Sequence, residues 1–370
     1  MVWRTHVELT FNAIDERRLG PKWQAAFAEA WPGWRAWYLE RGGERRLGDG
    51  ERQLRRHMPE LVATWRRQVE LAGGDELAAR FLTFWNPPAY LLHCSQAVLA
   101  GRDGPFLVRN YDLDPNLSEA KILRSAWTGH AVVATMEAIA GAADGVNAAG
   151  LAVSLSFGGR KVTGEGFGVP LIVRYLLEVC ERTRDAVDVL RRMPSHMSYN
   201  LTLVDRAGDH ATVFLAPDRP ADIRRQPFAT NHQGRVEWDE QARFSRTVER
   251  ATAIERLLAR PGLTPGALTD AFLRPPLYAT DHRGGFGTVY TAAYRPLEAA
   301  LELRWPGEEP WHLSCADFRE GSRQVRFGGR QVTLSPAFAE LLADCLRRPQ
   351  TADWSRLGRF WAGGFPQVAG

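Results

Sequence analysis

The order of patterns along the chain predicts an α+β fold, a four-layer α/β/β/α sandwich with two antiparallel sheets inside, preceded by a helical N-terminal segment over 1–93. Two observations carry this. Trp, Leu, Ala and Val recur at helical spacing over 20–38 and 51–71. Beyond residue 93 the texture changes to short β-like runs grouped between helical stretches, so that 94–370 reads as sheet, helices, sheet, helices, sheet.

The N-terminal helices give way at Asn86-Pro87-Pro88, where two prolines break helix and send the chain on in extended form to His93 and Cys94. Strands are expected over 95–100, 106–111, 130–136 and 146–157, the first two joined by a hairpin loop at Gly101-Arg102-Asp103-Gly104-Pro105. One or two buried helices follow over 168–191, with Leu171, Ile172, Tyr175, Leu176 and Val179 at helical spacing. Strands over 200–205 and 210–216 flank the turn Arg206-Ala207-Gly208-Asp209. Helices over 240–258 and 265–272 lead to a last hairpin, 287–294 with 299–305.

With 370 residues, 45% of them hydrophobic, the chain can bury a large core. Its formal charge of +4 does not point to nucleic acid: basic residues sit among acids, as in Asp15-Glu16-Arg17-Arg18, and no basic stripe carries interleaved aromatics. Residues 1–8 lack the basic-then-apolar plan of a secretory signal, and no run of about 18 uncharged apolar residues exists, so a cytoplasmic protein with no membrane span is expected. Cys94, Cys180, Cys315 and Cys345 lie far apart without the paired spacing of a zinc site. Neither metal nor disulfide is predicted, which leaves room for a reactive thiol.

Cys94 is the candidate. On its own a free cysteine packs as a small hydrophobe. Here it opens a strand, and the next strand ends in Arg109-Asn110-Tyr111-Asp112, so a hairpin returns a guanidinium and a carboxylate to the neighbourhood of the sulfur. Arginine favours thiolate and binds carbonyl or carboxylate groups, and aspartate accepts a hydrogen bond from an amine. A partly buried ion pair at a strand end is the plain structural reading of the same two residues.

Cys94-Ser95 followed by Leu107-Val108-Arg109-Asn110-Tyr111-Asp112 resembles the opening of the cysteine N-terminal nucleophile (Ntn) hydrolases, among them choloylglycine hydrolases, penicillin V acylases and isopenicillin N acyltransferase. Asp144-Gly145-Val146-Asn147-Ala148-Ala149-Gly150-Leu151 is similar to their next block, with Ala148 where Glu is usual. Phe228-Ala229-Thr230-Asn231-His232 resembles a third, and Gly287-Thr288-Val289-Tyr290-Thr291 the last hairpin. The resemblance spans about 94–306 and is nearest to the isopenicillin N acyltransferase branch, which carries a precursor segment of similar length.

It implies that the chain cuts itself between His93 and Cys94, leaving 1–93 and 94–370 associated, and then cleaves a linear amide through a Cys94 thioester. An acyltransferase passing the acyl group to an amine, or a binder of acylated ligands without turnover, is the alternative. By the same resemblance Arg109 orients Cys94 and substrate, Asp112 holds the freed α-amine, and Asn231 donates to the oxyanion. Ser156 and Asn147 are further oxyanion or substrate candidates. The family's late arginine falls on Arg243, with Arg246 as the alternative. No cofactor is implied, and acyl-CoA enters only as co-substrate of an acyltransferase. The partner is a small amide or acyl compound, and a homo-oligomer is compatible.

The chemistry is coherent on first principles. An N-terminal cysteine carries nucleophile and base together, since its α-amine, with a pKa of about 7.7–8.0, can take the thiol proton. A Cys94/His232 dyad is the competing arrangement. Gly164-Glu165-Gly166-Phe167-Gly168 could cradle a phosphate but reads more simply as a helix entry, and Trp127, Phe157 and Phe167 read as core before acyl pocket.

Overall fold

A computed structural model describes residues 7–43, 50–91, 93–282 and 286–327. Within them two sheets lie face to face. One has nine strands in the spatial order Arg219–Arg224, His210–Ala216, Tyr199–Val204, Ala152–Phe157, Gly141–Asn147, Val132–Glu137, Lys121–Ser125, Val7–Asp15 and Gly321–Phe327. The other has seven: Phe228–Ala229, His93–Gly101, Gly104–Leu113, Phe286–Arg295, Ala300–Arg304 and Trp311–Ser314 in order, with Thr280–Asp281 paired onto Phe286–Arg295. Helices Val169–Val179 and Thr183–Arg192 pack on the nine-stranded sheet, and Thr247–Leu258 and Pro265–Phe272 on the seven-stranded one. The four predicted layers are present.

The register of the first hairpin decides what faces what. His93 pairs with Asp112, Cys94 with Tyr111 and Gln96 with Arg109. Because side chains alternate along a strand, Cys94, Gln96, Arg109 and Tyr111 point toward the nine-stranded sheet, while His93, Ala97, Val108 and Asp112 point to the helices. The packing agrees: Gln96 is hydrogen-bonded to Ser154 and the Asn200 carbonyl, whereas Ala97, Phe106 and Val108 form a separate apolar cluster with Ile254, Leu268 and Phe272.

Four differences from the expected elements matter. The N-terminal segment has its helices, Pro21–Glu40, Gly50–His57, Val62–Leu71 and Glu76–Phe81, but is not wholly helical: it opens with the strand Val7–Asp15. Val7, Leu9, Phe11 and Ala13 alternate there with Glu8, Thr10 and Asn12, a period-two signal that marks a half-buried strand. It pairs parallel with Lys121–Ser125 and antiparallel with Gly321–Phe327, so the nine-stranded sheet is not purely antiparallel.

The run 146–157 is two strands, not one, turned at Gly150, where φ is +89° and a Cβ would lie 2.6 Å from the Pro296 carbonyl oxygen. The strand Gly141–Asn147 escapes a hydropathy reading because it is built of small residues. Smallness is its function, since a Cβ on Gly141 would meet Pro170 at 2.4 Å and one on Gly145 would meet Leu177 at 2.7 Å, and both belong to the covering helix. Finally, the helix over 240–258 is broken into Asp239–Phe244 and Thr247–Leu258 by Arg246, whose backbone is left-handed at φ 51° and ψ 34°. Among the described residues no helix is long and apolar enough to cross a membrane.

The strand Val7–Asp15 is keyed into the core by Phe11, which is fully buried against Trp305 at 4.9 Å and Tyr290 at 6.2 Å between ring centroids. Phe11→Ala should cost about 3–5 kcal/mol. Denaturant unfolding of the purified variant reads this directly, and a loss under about 1 kcal/mol would mean that the N-terminal strand is dispensable to the sandwich.

Candidate active site

Cys94 is fully buried one residue into the strand His93–Gly101, with its peptide bond to His93 in the interior. The sulfur, N–H and carbonyl of Cys94 are each engaged. The Arg109 Nη2 donates to the Cys94 sulfur at 3.0 Å, the Cys94 N–H donates to Asn231 Oδ1 at 3.2 Å, and the Cys94 carbonyl accepts from Arg250 Nη1 at 2.8 Å. Arg250 also reaches Ser95 Oγ at 2.7 Å and Asn231 Oδ1 at 2.6 Å, and lies 3.6 Å from Asp112. Asp112 accepts from Thr288 Oγ1 at 2.7 Å through Oδ1, while its buried Oδ2 has no hydrogen-bond donor.

Asn231 follows the short edge strand Phe228–Ala229 and is fixed on all sides. Its N–H donates to Thr247 Oγ1 at 2.7 Å and its Nδ2 to the Phe157 carbonyl at 3.1 Å, which orients the amide with Oδ1 toward Cys94. Gly159 allows the approach: φ is +72° there, and a Cβ would stand 2.3 Å from the Asn231 carbonyl oxygen.

The electrostatics follow from burial. Loss of water pushes the Cys94 thiol up to about 11, although Arg109 pulls against it. The same desolvation lifts Asp112 to about 6, against the nearby Arg250, and drops His93 to about 3. His93 is therefore neutral, its ring packed between Phe244 at 5.3 Å and Phe286 at 5.1 Å. The site thus holds a protonated thiol on one face of the hairpin and, on the other, a carboxylate that readily takes a proton.

Cys94, Arg109, Asp112 and Asn231 are brought together, and the other named residues are not. Arg243 is exposed on the short helix Asp239–Phe244, and Arg246 is exposed and paired with Glu249 at 2.5 Å. The buried arginine of the site is Arg250. The left-handed turn at Arg246 starts a new helix whose inward stripe is Thr247, Arg250 and Ile254. That stripe is the signal a sequence reading could have used, because an arginine at a core-facing position requires a partner. Asn147 lies elsewhere, donating to the carbonyls of Leu177 at 2.9 Å and Cys180 at 2.7 Å, where it caps the covering helix. Ser156 is one step removed: it donates to the Thr230 carbonyl at 2.7 Å and so supports the strand that delivers Asn231.

His232 hydrogen-bonds Thr247 at 2.9 Å and Thr230 at 3.3 Å, and among the described residues no hydrogen bond joins it to Cys94. Phe157 and Phe167 are fully buried core residues, the role preferred for them over an acyl pocket. No cluster of His, Cys, Asp or Glu among the described residues could hold a metal. A groove of about 220 Å³ lies outside the strand of Asn231, between Phe228, Thr230 and His232 and the helix face at Val248 and Ala251, and does not reach Cys94.

Residues 99–309 match the model of the family described as acyl-coenzyme A:6-aminopenicillanic acid acyl-transferase. The match starts five residues beyond Cys94 and includes Arg109, Asp112, Asp144, Asn231 and Arg250. Three solved structures are similar. Penicillin V acylase from Agrobacterium tumefaciens is 15% identical at a TM-score of 0.41, the alignment covering 65% of this chain and 94% of that one. A variant of conjugated bile acid hydrolase from Clostridium perfringens is 10% identical at a TM-score of 0.42, covering 65% and 100%. An N-acylethanolamine-hydrolyzing acid amidase ortholog from Caenorhabditis elegans is 16% identical at a TM-score of 0.41, covering 60% and 99%. No curated protein matches the chain. On a family match over more than half its length, the chain belongs to the acyl-coenzyme A:6-aminopenicillanic acid acyl-transferase family.

Proposed function

We propose that this enzyme cuts its own chain between His93 and Cys94 and then hydrolyses a linear amide of a small-molecule substrate through a Cys94 acyl-thioester. The observation that carries the reading is the fixation of the His93–Cys94 peptide: its N–H rests on Asn231, the next carbonyl on Arg250, and the attacking sulfur on Arg109.

In the first event the Cys94 sulfur bonds to the His93 carbonyl carbon and the C–N bond breaks. The thiol proton ends on the departing nitrogen, which becomes the Cys94 α-amine, with Asp112 as the carboxylate that accepts from it. Water then attacks the thioester, leaving a carboxylate on His93 and restoring the thiol. The same cycle serves a substrate amide: the sulfur takes the acyl group, the amine leaves with a proton, and water releases the acid. The α-amine now acts as base, held by Asp112. Before the cut the Asn231 amide turns its acceptor Oδ1 to Cys94 and spends Nδ2 on the Phe157 carbonyl, so the expected donation to the charged oxygen of the tetrahedral intermediate requires the amide to turn over. Nucleophile and base both come from Cys94, so the reaction needs no metal or cofactor.

The family's description favours a second reading, in which acyl-CoA supplies the acyl group to Cys94, releasing CoA, and an amine in place of water accepts it. The two differ in the acyl donor and in what reaches the thioester.

Intact masses under denaturing conditions test the first step. The wild type should give two fragments dividing before Cys94, and Cys94→Ala a single full-length mass; one mass in both would sink the self-processing reading. Under native conditions the two fragments should elute together, because Val7–Asp15 sits between two downstream strands. The pH profile has a fixed sign. Asp112 titrates near 6, so it is an acceptor above that pH and protonated below, and the processing rate of freshly refolded chain should fall as pH drops through about 6. Asp112→Asn should slow processing by about 100-fold or more and remove this limb. Asn231→Ala should lower kcat on a substrate amide by about 100–1,000-fold, and a change under threefold would remove it from the mechanism.

A further inference from the structure

Arg109 alone does not explain its own placement. It is fully buried between the sheets, and three rotatable methylenes would let its guanidinium find several partners there. What holds it is Asp144, on the facing strand Gly141–Asn147 of the other sheet, which pairs with Arg109 Nη1. The Asp144 carboxylate is itself held. Its Oδ1 accepts from Thr135 Oγ1 and from the Tyr294 hydroxyl, each at 2.5 Å, and its Oδ2 accepts from the Tyr290 hydroxyl at 3.0 Å. The guanidinium also lies over the Tyr111 ring at 4.7 Å, and Tyr111 stacks on Tyr290 at 5.1 Å and 9°. One edge of the cation is fixed by the carboxylate and its face by a phenol ring, which leaves Nη2 directed at the Cys94 sulfur at 3.0 Å.

Any buried carboxylate needs its lone pairs satisfied, but donors from two other strands, two of them on the strand paired with that of Arg109, also fix the direction in which this one meets the guanidinium. We infer that Asp144 is a positioning residue: held by Thr135, Tyr290 and Tyr294, it sets Arg109 Nη2 against Cys94, so that the nine-stranded sheet fixes the donor on which the nucleophile of the seven-stranded sheet depends. The inference rests on the proposed Cys94 chemistry. A donor placed in advance costs no reorganisation when negative charge gathers on sulfur, whereas an arginine free to turn would first have to be recruited.

The test uses full-length chain and two readouts: the rate of self-cleavage after refolding, by intact mass, and the pH dependence of iodoacetamide labelling at Cys94 once cutting is complete. Asp144→Asn should cut about 100-fold more slowly, Asp144→Glu should recover part of the rate, and Tyr294→Phe, which removes one hydroxyl and keeps the charge, should cut about three- to tenfold more slowly. In the variants that cut, the labelling midpoint should move to higher pH because the guanidinium has left the sulfur. A merely structural Asp144 would lower Tm and leave the midpoint in place; one that merely neutralises Arg109 would, once removed, shift it to lower pH, since the thiolate would face an uncancelled cation. Either result, or wild-type cutting by Asp144→Asn, overturns the inference. Should Asp144→Asn fail to fold, Tyr294→Phe decides alone, and an unchanged rate and midpoint there overturn it too. Wild-type chain that does not cut and shows no Cys94-dependent turnover removes the underlying reading, and this inference with it.

Discussion

A cation buried between two sheets must be matched there, and the ion pair of Arg109 with Asp144 meets that demand across the inter-sheet space. Breaking such a pair by removing one partner typically costs about 3–5 kcal/mol, because the other charge is left without water or counter-ion. The pair therefore holds the hairpin of Cys94 at one height and rotation against the opposite sheet. The tyrosines that complete the cluster, Tyr290 and Tyr294, come from the strand on the far side of Arg109, so two strands of each sheet meet around one carboxylate.

Alternation along the strand of Cys94 then separates two environments. Toward the nine-stranded sheet lie the sulfur and Arg109; toward the helices lie Asp112, His93 and Arg250. The peptide plane of His93–Cys94 stands between them and is gripped from both. Such a division lets one residue be tuned twice, with the thiol kept protonated by burial on one side while a carboxylate of raised proton affinity waits on the other. The covalent act proposed for the chain changes this balance at a stroke, since it converts an amide N–H resting on Asn231 into an amine.

The layers, most helices and the hairpin of Cys94 were legible in the sequence because each rests on a local signal: helical spacing over 169–179, the double proline after Asn86, and a glycine-bounded turn between two strands. What escaped rests on context. Gly141–Asn147 is a central strand made almost entirely of small residues, chosen to let a helix lie close, and so it lacks the branched apolar side chains that announce a strand. Asp144 was seen as part of a motif, yet its partners sit on three other strands and no spacing could link them. Val7–Asp15 had an alternating pattern in plain view, but its place between Lys121–Ser125 and Gly321–Phe327 depends on pairings more than a hundred residues away in sequence.

Arg250 shows most clearly where local reading ends. On an unbroken helix Arg243 and Arg250, seven residues apart, would share a face, and only the stripe of Thr247 and Ile254 around Arg250 would choose between them locally. The left-handed residue at Arg246 removes that equivalence: the helix restarts, Arg243 is left in water, and Arg250 turns inward with Ile254 four residues further on. A non-glycine residue in that region is strained by about 1–2 kcal/mol, and it is tolerated here because the turn brings a guanidinium to the Cys94 carbonyl, Ser95, Asn231 and Asp112 together. The arginine was there to be counted in the sequence, but its role follows from one backbone angle four residues earlier.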